Sequence, residues 1–149
     1  MCKKTELIPV ALVVNGLLSR LGGVGMNGLK VLIVEDCYLM ASALGDLLAN
    51  AGAQVVGTAN SVASAFRILA VSPVDIACLD INLGKENSFP IADELTARGI
   101  PFVFVSAYDS TVLPAAYRER PFVDKVKVSS DLLSTCRTAS RQISAEALV

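Results

Sequence analysis

The chain has 149 residues, which is enough for one domain with a substantial core and leaves little room for a second folded unit. Its 13 Lys and Arg residues nearly balance 14 Asp and Glu residues, and a net charge of −1 gives no basic footprint for nucleic acid. Because the sequence contains no histidine, it excludes catalysis, metal binding and phosphoryl transfer through histidine side chains. Hydrophobic residues make up 53% of the chain, a fraction that a parallel sheet covered on both faces, or the apolar N-terminus, would explain.

The first 28 residues differ in pattern from the rest of the chain. Two lysines precede an apolar stretch at residues 7–18, which Pro9 and Asn15 interrupt. This stretch is shorter than the ~20 residues that a transmembrane helix needs, and no convincing small-residue cleavage site completes a signal peptide. We therefore predict that Met26 is the biological start and that residues 1–28 are an N-terminal extension, either a translated leader or an extra helix.

Short apolar runs alternate with helix-like segments in the remainder of the chain. Strands are predicted at residues 30–34, 54–58, 74–79, 101–105 and 122–124, and helices at residues 38–50, 61–70, 91–98 and 130–143, with a short helical or loop segment at residues 111–117. Ser61 is the predicted cap of the second helix, and Ser129 or Ser130 that of the last. Strands that alternate with helices indicate an α/β fold, a doubly wound five-stranded parallel sheet sandwiched by helices.

Polar residues follow the predicted strands at the edge where such sheets carry their functional crevice. Glu35 and Asp36 come after the first strand, Asp80 after the third, Ser106 after the fourth and Lys125 after the fifth. Each residue alone has an ordinary explanation, as a helix cap, the start of a turn or a surface charge. Their convergence at one edge of the sheet favours a shared functional site.

Three carboxylates in one cleft repel each other and raise one another's pKa unless a cation compensates. Hard oxygen ligands suit Mg²⁺, and the candidate ligands are Glu35, Asp36, Asp80 and the main-chain carbonyl of Asn82. Asp80 is then also a carboxylate nucleophile that can form an aspartyl phosphate. The metal and Lys125 would neutralise charge on the transferring phosphoryl group, and Ser106 would donate a hydrogen bond to it.

Four motifs in this order resemble those of response-regulator receiver domains. They are KVLIVED at residues 30–36, DIACLDINLG at residues 75–84, FVFVSAY at residues 102–108 and the segment at residues 122–125. The resemblance covers residues 29–141. The chain is similar above all to small stand-alone receivers of bacteria. This resemblance implies a flavodoxin-like fold with strand order 2-1-3-4-5, a receiver domain at residues 29–143 and a C-terminal tail at residues 144–149.

The resemblance also implies a function and the roles of individual residues. Asp80 matches the residue that accepts a phosphoryl group from a sensor histidine kinase or phosphotransfer protein, with Mg²⁺ as the cofactor. Glu35 and Asp36 match the acidic pair, and Ser106 and Lys125 match the residues that stabilise the phosphate. Ser106 and Phe122 match the switch positions, where the hydroxyl moves towards the phosphate and the aromatic ring enters the vacated space.

The expected partners and location follow from the same resemblance. We expect no enzymatic activity beyond assistance with the domain's own phosphotransfer and dephosphorylation, and no nucleic-acid or membrane partner. The receiver surface itself would carry the output to a downstream protein. We expect the chain to be a monomer or a weak homodimer. A mildly apolar segment at residues 108–121 is one candidate surface, although its apolar residues could equally pack on the core. The four cysteines form no CxxC pair and do not indicate a disulfide scaffold, which favours a cytoplasmic location.

The sequence departs from the family at Val126, where a proline, often with a cis peptide bond, usually follows the lysine. A non-proline cis bond costs about 3–4 kcal/mol, so we expect a trans bond and a less firmly aimed Lys125. This departure motivates an alternative function, a non-phosphorylated pseudo-receiver that acts as a protein-interaction module. Two enzyme classes fit less well: a haloacid-dehalogenase-like phosphatase would carry Asp-x-Asp after the first strand, and a flavin protein would carry a glycine- and hydroxyl-rich loop there instead of EDCYLM.

Overall fold

The computed structural model describes residues 26–146 as one parallel sheet with helices on both faces. The strands are β1 Lys30–Val34, β2 Gln54–Ala59, β3 Ile76–Leu79, β4 Phe102–Ser106 and β5 Phe122–Asp124, and the α-helices are α1 Tyr38–Asn50, α2 Val62–Val71, α3 Phe89–Ala97 and α4 Val128–Glu146. The sheet order β2-β1-β3-β4-β5, with all pairs parallel, confirms the predicted fold class. Residues 1–25, which hold most of the predicted extension, and residues 147–149 lie outside the described part of the chain.

Alternation along the central strands produces two hydrophobic cores, one on each face of the sheet. Val31 and Ile33 of β1 pack with the core that includes α1 and α4, whereas Leu32 and Val34 pack with the core that includes α2 and α3. Strands buried on both faces read as continuous apolar runs, and this accounts for the high hydrophobic fraction of the sequence. Within residues 26–146, every helix is too short or too polar to cross a lipid bilayer.

The N-termini of two helices test the predicted serine caps. Ser61 caps α2 as predicted, because its hydroxyl accepts a hydrogen bond from Ser64 N–H at 3.2 Å while the Ser64 hydroxyl accepts one from Ser61 N–H at 3.0 Å. The predicted serine cap of the last helix is wrong, since Ser129 and Ser130 lie inside α4. A 3₁₀ turn at Lys125–Lys127 runs directly into α4, so the helical segment starts earlier than the serines suggested.

The connection between β4 and β5 contains two short 3₁₀ helices, Ser110–Val112 and Ala115–Tyr117, as the prediction of a short helical or loop segment allowed. Tyr117 covers this part of the sheet with its ring. The ring stacks on Phe89 with centroids 4.9 Å apart and lies edge-on to Phe104, with centroids 5.9 Å apart. Aromatic packing thus covers β4 beside these two short helices.

The segment at residues 108–121 was predicted either to form an exposed surface or to pack on the core, and each prediction holds for part of it. Leu113 and Tyr117 are buried in the core, whereas Tyr108 and Val112 are exposed. The Tyr117 hydroxyl also donates a hydrogen bond to Asp93 of α3. The segment is therefore anchored by buried side chains and presents other apolar side chains to solvent.

Two leucines of α1 provide a matched test of this core. Leu44 is 1% exposed and Leu39 is 56% exposed on the same helix. We expect Leu44→Ala to lower the free energy of unfolding by about 2–5 kcal/mol, because it leaves a cavity among packed side chains. Leu39→Ala should change it by less than ~1 kcal/mol. Urea denaturation followed by circular dichroism measures both, and equal losses would contradict the described packing.

Candidate functional site

The candidate site lies at the carboxyl edge of the sheet. Glu35 and Asp36 follow β1, Asp80 follows β3, Ser106 ends β4 and Lys125 follows β5. Because β1 and β3 are neighbours and β4 and β5 come next in the sheet, all five residues reach the same edge. Their side-chain contacts then decide what the edge can do chemically.

Backbone hydrogen bonds extend the sheet into the acidic residues. Glu35 N–H donates to the carbonyl of Ala59 at 2.9 Å, and Asp80 N–H donates to the carbonyl of Val34 at 2.8 Å. The main chain at both carboxylates is therefore held by the same ladder that holds the strands. The sheet forces together two negative charges that would otherwise separate.

Three carboxylates form the acidic cluster of this edge. One oxygen from each of Glu35, Asp36 and Asp80 lies within 4.8 Å of the others. Glu35 and Asp80 are buried, and Asp36 is exposed. The cluster therefore has a buried floor and an entrance that is open to solvent.

Lys125 supplies the positive charge of the site. Its Nζ lies 2.7 Å from Asp80 Oδ2 and 2.7 Å from Glu35 Oε2. Burial opposes the charge on Lys125, but the hydrogen bonds and charges of Asp80 and Glu35 outweigh it and raise the pKa of the lysine. No peptide bond is cis in residues 26–146, as expected for Val126, and the lysine reaches both carboxylates even without the usual proline.

Glu35 is the group whose proton affinity the site changes most clearly. Burial, and then the charge of Asp80, raise the pKa of Glu35 to about 7, although Lys125 opposes the shift. Glu35 Oε1 accepts a hydrogen bond from Cys37 N–H at 3.1 Å, and Oε2 pairs with Lys125 Nζ at 2.7 Å. Three carboxylates that a single lysine neutralises only in part fit a hard divalent cation.

Ser106 lies at the end of β4, and its side chain is fully buried. Its hydroxyl accepts a hydrogen bond from Tyr108 N–H at 3.2 Å, which leaves the hydroxyl proton available for donation. Phe122 lies opposite Phe104 in the β4–β5 ladder and packs, half-buried, against the core on the side of α2 and α3. The two predicted switch residues thus lie on neighbouring strands.

The loop after Asp80 is held by local hydrogen bonds around Asn82. Asn82 N–H lies 3.4 Å from Asp80 Oδ1, and Asn82 Oδ1 accepts a hydrogen bond from Gly84 N–H at 2.9 Å. These contacts engage the amide and the side chain of Asn82, and the metal-binding role of its main-chain carbonyl stays a prediction.

Two residues near the site were not singled out from the sequence. Gly84 has φ +81°, and a Cβ atom there would lie 3.5 Å from Asp36 Oδ2, so the loop approaches the cluster closely. Asp124, directly before Lys125, accepts a hydrogen bond from Val126 N–H at 2.9 Å. Their residue types were the available sequence signal for these turns, because glycine and aspartate both favour turns.

Known proteins similar to this chain include signalling proteins of bacteria. Sensory transduction protein LytT of Bacillus cereus is 39% identical over 90 residues, which are 58% of this chain and 37% of that protein. The chain therefore spans less than half the length of this curated relative. Among solved structures, SdrG from Sphingomonas melonis Fr1 has a TM-score of 0.67 and 34% identity, with 76% of this chain and 96% of that chain covered.

A second solved structure, the PhyR response regulator REC domain of Erythrobacter litoralis, has a TM-score of 0.63 and 27% identity, with 79% of this chain and 91% of that chain covered. A sequence model of the response regulator receiver domain matches residues 31–126. That match spans the ends of all five strands and the first two residues of the turn after β5. The chain belongs to the response regulator receiver domain family.

Proposed function

We propose that this receiver domain accepts a phosphoryl group on Asp80 from a sensor histidine kinase or phosphotransfer protein in the cytoplasm, and that its surface passes the signal to a protein partner. The observation that carries the proposal is the acidic cluster, with its oxygens within 4.8 Å of one another and Lys125 Nζ 2.7 Å from Asp80 and Glu35. A nucleophilic carboxylate, further metal-ligand carboxylates and a cation are the groups that phosphoryl transfer to a carboxylate requires.

In the proposed transfer, a carboxylate oxygen of Asp80 attacks the phosphorus of a phosphohistidine. The new P–O bond forms as the P–N bond breaks, and the leaving imidazole keeps the electron pair and takes up a proton. Mg²⁺, held by Glu35, Asp36, Asp80 and the main-chain carbonyl of Asn82, would neutralise negative charge on the phosphoryl oxygens. Lys125 then pairs with a phosphoryl oxygen, which its 2.7 Å distance from Asp80 Oδ2 permits.

The proposed output begins at Ser106. Its hydroxyl donates a hydrogen bond to a phosphoryl oxygen on Asp80, and the Phe122 ring moves into the space that the Ser106 side chain leaves. The burial of Ser106 supports this coupling, since a side chain cannot leave a closed space without a neighbour filling it. Tyr108 and Val112, exposed in the connection after β4, then form part of the surface that a partner contacts.

The kinase-facing surface is proposed from the position of Asp80. A donor that delivers a phosphoryl group to Asp80 has to cover the residues around the acidic cluster. Three large apolar side chains flank the cluster in the sequence and are exposed: Tyr38 at 82%, Leu39 at 56% and Val126 at 87%. Apolar side chains exposed around a reaction centre favour a protein donor.

One observation favours the alternative of a pseudo-receiver. Lys125 already lies between Glu35 and Asp80 as an internal counter-ion, so the site is partly neutralised without a phosphoryl group. Such a domain would bind its partner in one state only. Labelling with a small-molecule phosphodonor separates the two functions.

We expect acetyl phosphate with Mg²⁺ to add one phosphoryl group to the wild-type protein and none to Asp80→Asn, because an amide is a poor nucleophile. Intact-protein mass spectrometry measures this addition. Asp46→Asn, at an exposed aspartate of α1, is the matched control and should label normally. Labelling of Asp80→Asn contradicts Asp80 as the acceptor, and an unlabelled wild type that still binds its partner supports the pseudo-receiver.

The affinity for Mg²⁺ should depend on pH through Glu35. Below the pKa of about 7, Glu35 is mostly protonated, and its proton has to leave before the carboxylate can bind the ion. We expect the Kd for Mg²⁺ to fall by up to about tenfold per unit as pH rises towards 7, and to change little above it. Amide shifts in an NMR titration measure the Kd. Glu35→Gln should bind more weakly and lose this dependence, while a flat wild-type profile contradicts the role of Glu35.

Tyr38→Ala tests the kinase-facing surface. Loss of an exposed aromatic contact should slow phosphotransfer from a cognate histidine kinase by roughly tenfold and leave labelling by acetyl phosphate unchanged. Val71→Ala is the matched control, because Val71 is also 82% exposed but lies at the end of α2, at the opposite edge of the sheet. Equal effects of the two variants, or slower labelling of Tyr38→Ala by acetyl phosphate, contradict this docking surface.

A further inference from the structure

In the turn between β5 and α4, Lys125 lies between two residues, Asp124 and Val126, that are joined by a hydrogen bond. Asp124 Oδ1 accepts a hydrogen bond from Val126 N–H at 2.9 Å, and this bond closes the start of the 3₁₀ turn at Lys125–Lys127. Lys125 is the residue enclosed by that bond. Its backbone conformation is therefore tied to the side chain of Asp124.

Both ends of this turn are anchored in the fold. Asp124 is the last residue of β5 and lies opposite Ser106 in the β4–β5 ladder. At the other end, the Ser130 hydroxyl of α4 donates a hydrogen bond to the carbonyl of Lys127 at 3.0 Å. The turn between the sheet and α4 is thus held by side-chain hydrogen bonds at both ends, and the Asp124 bond lies at its start.

A lysine side chain has a flexible four-carbon stem, which does not by itself fix the direction of its ammonium. Lys125 nevertheless meets two acceptors at 2.7 Å. The side chain of Val126 is 87% exposed and adds little packing, whereas its N–H is the group that is bound. The hydrogen bond from Val126 N–H to Asp124 is thus a local constraint on the backbone at Lys125.

We propose that Asp124 is a positioning residue, whose hydrogen bond to Val126 N–H directs the ammonium group of Lys125 towards Glu35 and Asp80. The proposed orientation of Lys125 does not depend on the proposed function. Only the contribution of this lysine to phosphoryl transfer rests on it. The direction of Lys125 itself is measurable in the unphosphorylated protein.

The first experiment measures acylation of lysines by an N-hydroxysuccinimide acetate, mapped by peptide mass spectrometry on the whole chain without metal or phosphodonor. We expect Asp124→Ala to raise the acylation rate of Lys125 by about 3- to 10-fold relative to Lys85, as loss of one hydrogen bond should. Asp124→Asn keeps an acceptor oxygen and removes the charge, so it should restore the wild-type rate. Should Asp124→Ala fail to fold by circular dichroism, Asp124→Leu is a second variant without an acceptor.

Asp109→Ala is the matched control. Asp109 Oδ1 accepts a hydrogen bond from Thr111 N–H at 2.9 Å at the start of another 3₁₀ turn, with no lysine enclosed. Its loss should leave the acylation of Lys125 unchanged. An unchanged rate in Asp124→Ala, or equal rises in Asp124→Ala and Asp124→Asn, overturns the positioning role.

The second experiment measures labelling by acetyl phosphate with Mg²⁺. Asp124→Ala should label about 3- to 10-fold more slowly and Asp124→Asn at close to the wild-type rate, since one hydrogen bond separates them. Faster acylation with unchanged labelling supports the positioning of Lys125 and contradicts the part that the proposed function assigns to this lysine. Slower labelling in Asp124→Ala with unchanged acylation overturns the positioning and leaves the proposed function intact.

Discussion

Two buried carboxylates and one ammonium group share an edge of the sheet, and the balance of their charges governs the rest of the site. The ladder holds the main chain of Glu35 and Asp80, so the repulsion between them cannot be relieved by separation. Lys125 compensates part of the charge, and burial still leaves the pKa of Glu35 near 7. An acidic cluster in this state favours additional positive charge, whether it comes from a proton or from a metal ion.

Much of the fold and the location of the site could be predicted from the sequence. Apolar runs at the strands and helical spacing between them are local patterns, and their alternation indicates parallel strands. The strand order 2-1-3-4-5 came instead from the resemblance to receiver domains. Once the strands were predicted, residues such as Asp80 and Lys125 had to lie at one edge, because each follows a strand directly. The residue types at strand ends were therefore enough to predict a shared site without any distance.

The remaining features depend on side-chain geometry that a pattern does not contain. The last helix was predicted to begin at a serine cap, whereas a 3₁₀ turn closed by Asp124 leads into it. The same hydrogen bond closes the turn at Lys125, whose ammonium lies 2.7 Å from both carboxylates although Val126 stands where the family usually has proline. That Lys125 is less firmly aimed than in the family stays a prediction. The burial of Tyr117 depends on its stacking with Phe89, which is distant in sequence.

The connection between β4 and β5 combines two buried anchors with two exposed side chains. Leu113 and Tyr117 fix it to the core, while Tyr108 and Val112 lie in solvent and contribute little to folding. In the proposed function, substitutions at these exposed positions change the surface that a partner contacts, at small cost to stability and without touching the acidic cluster. Duplicated copies of such a domain could diverge into insulated signalling pathways through these positions alone, with the chemistry at the sheet edge inherited unchanged.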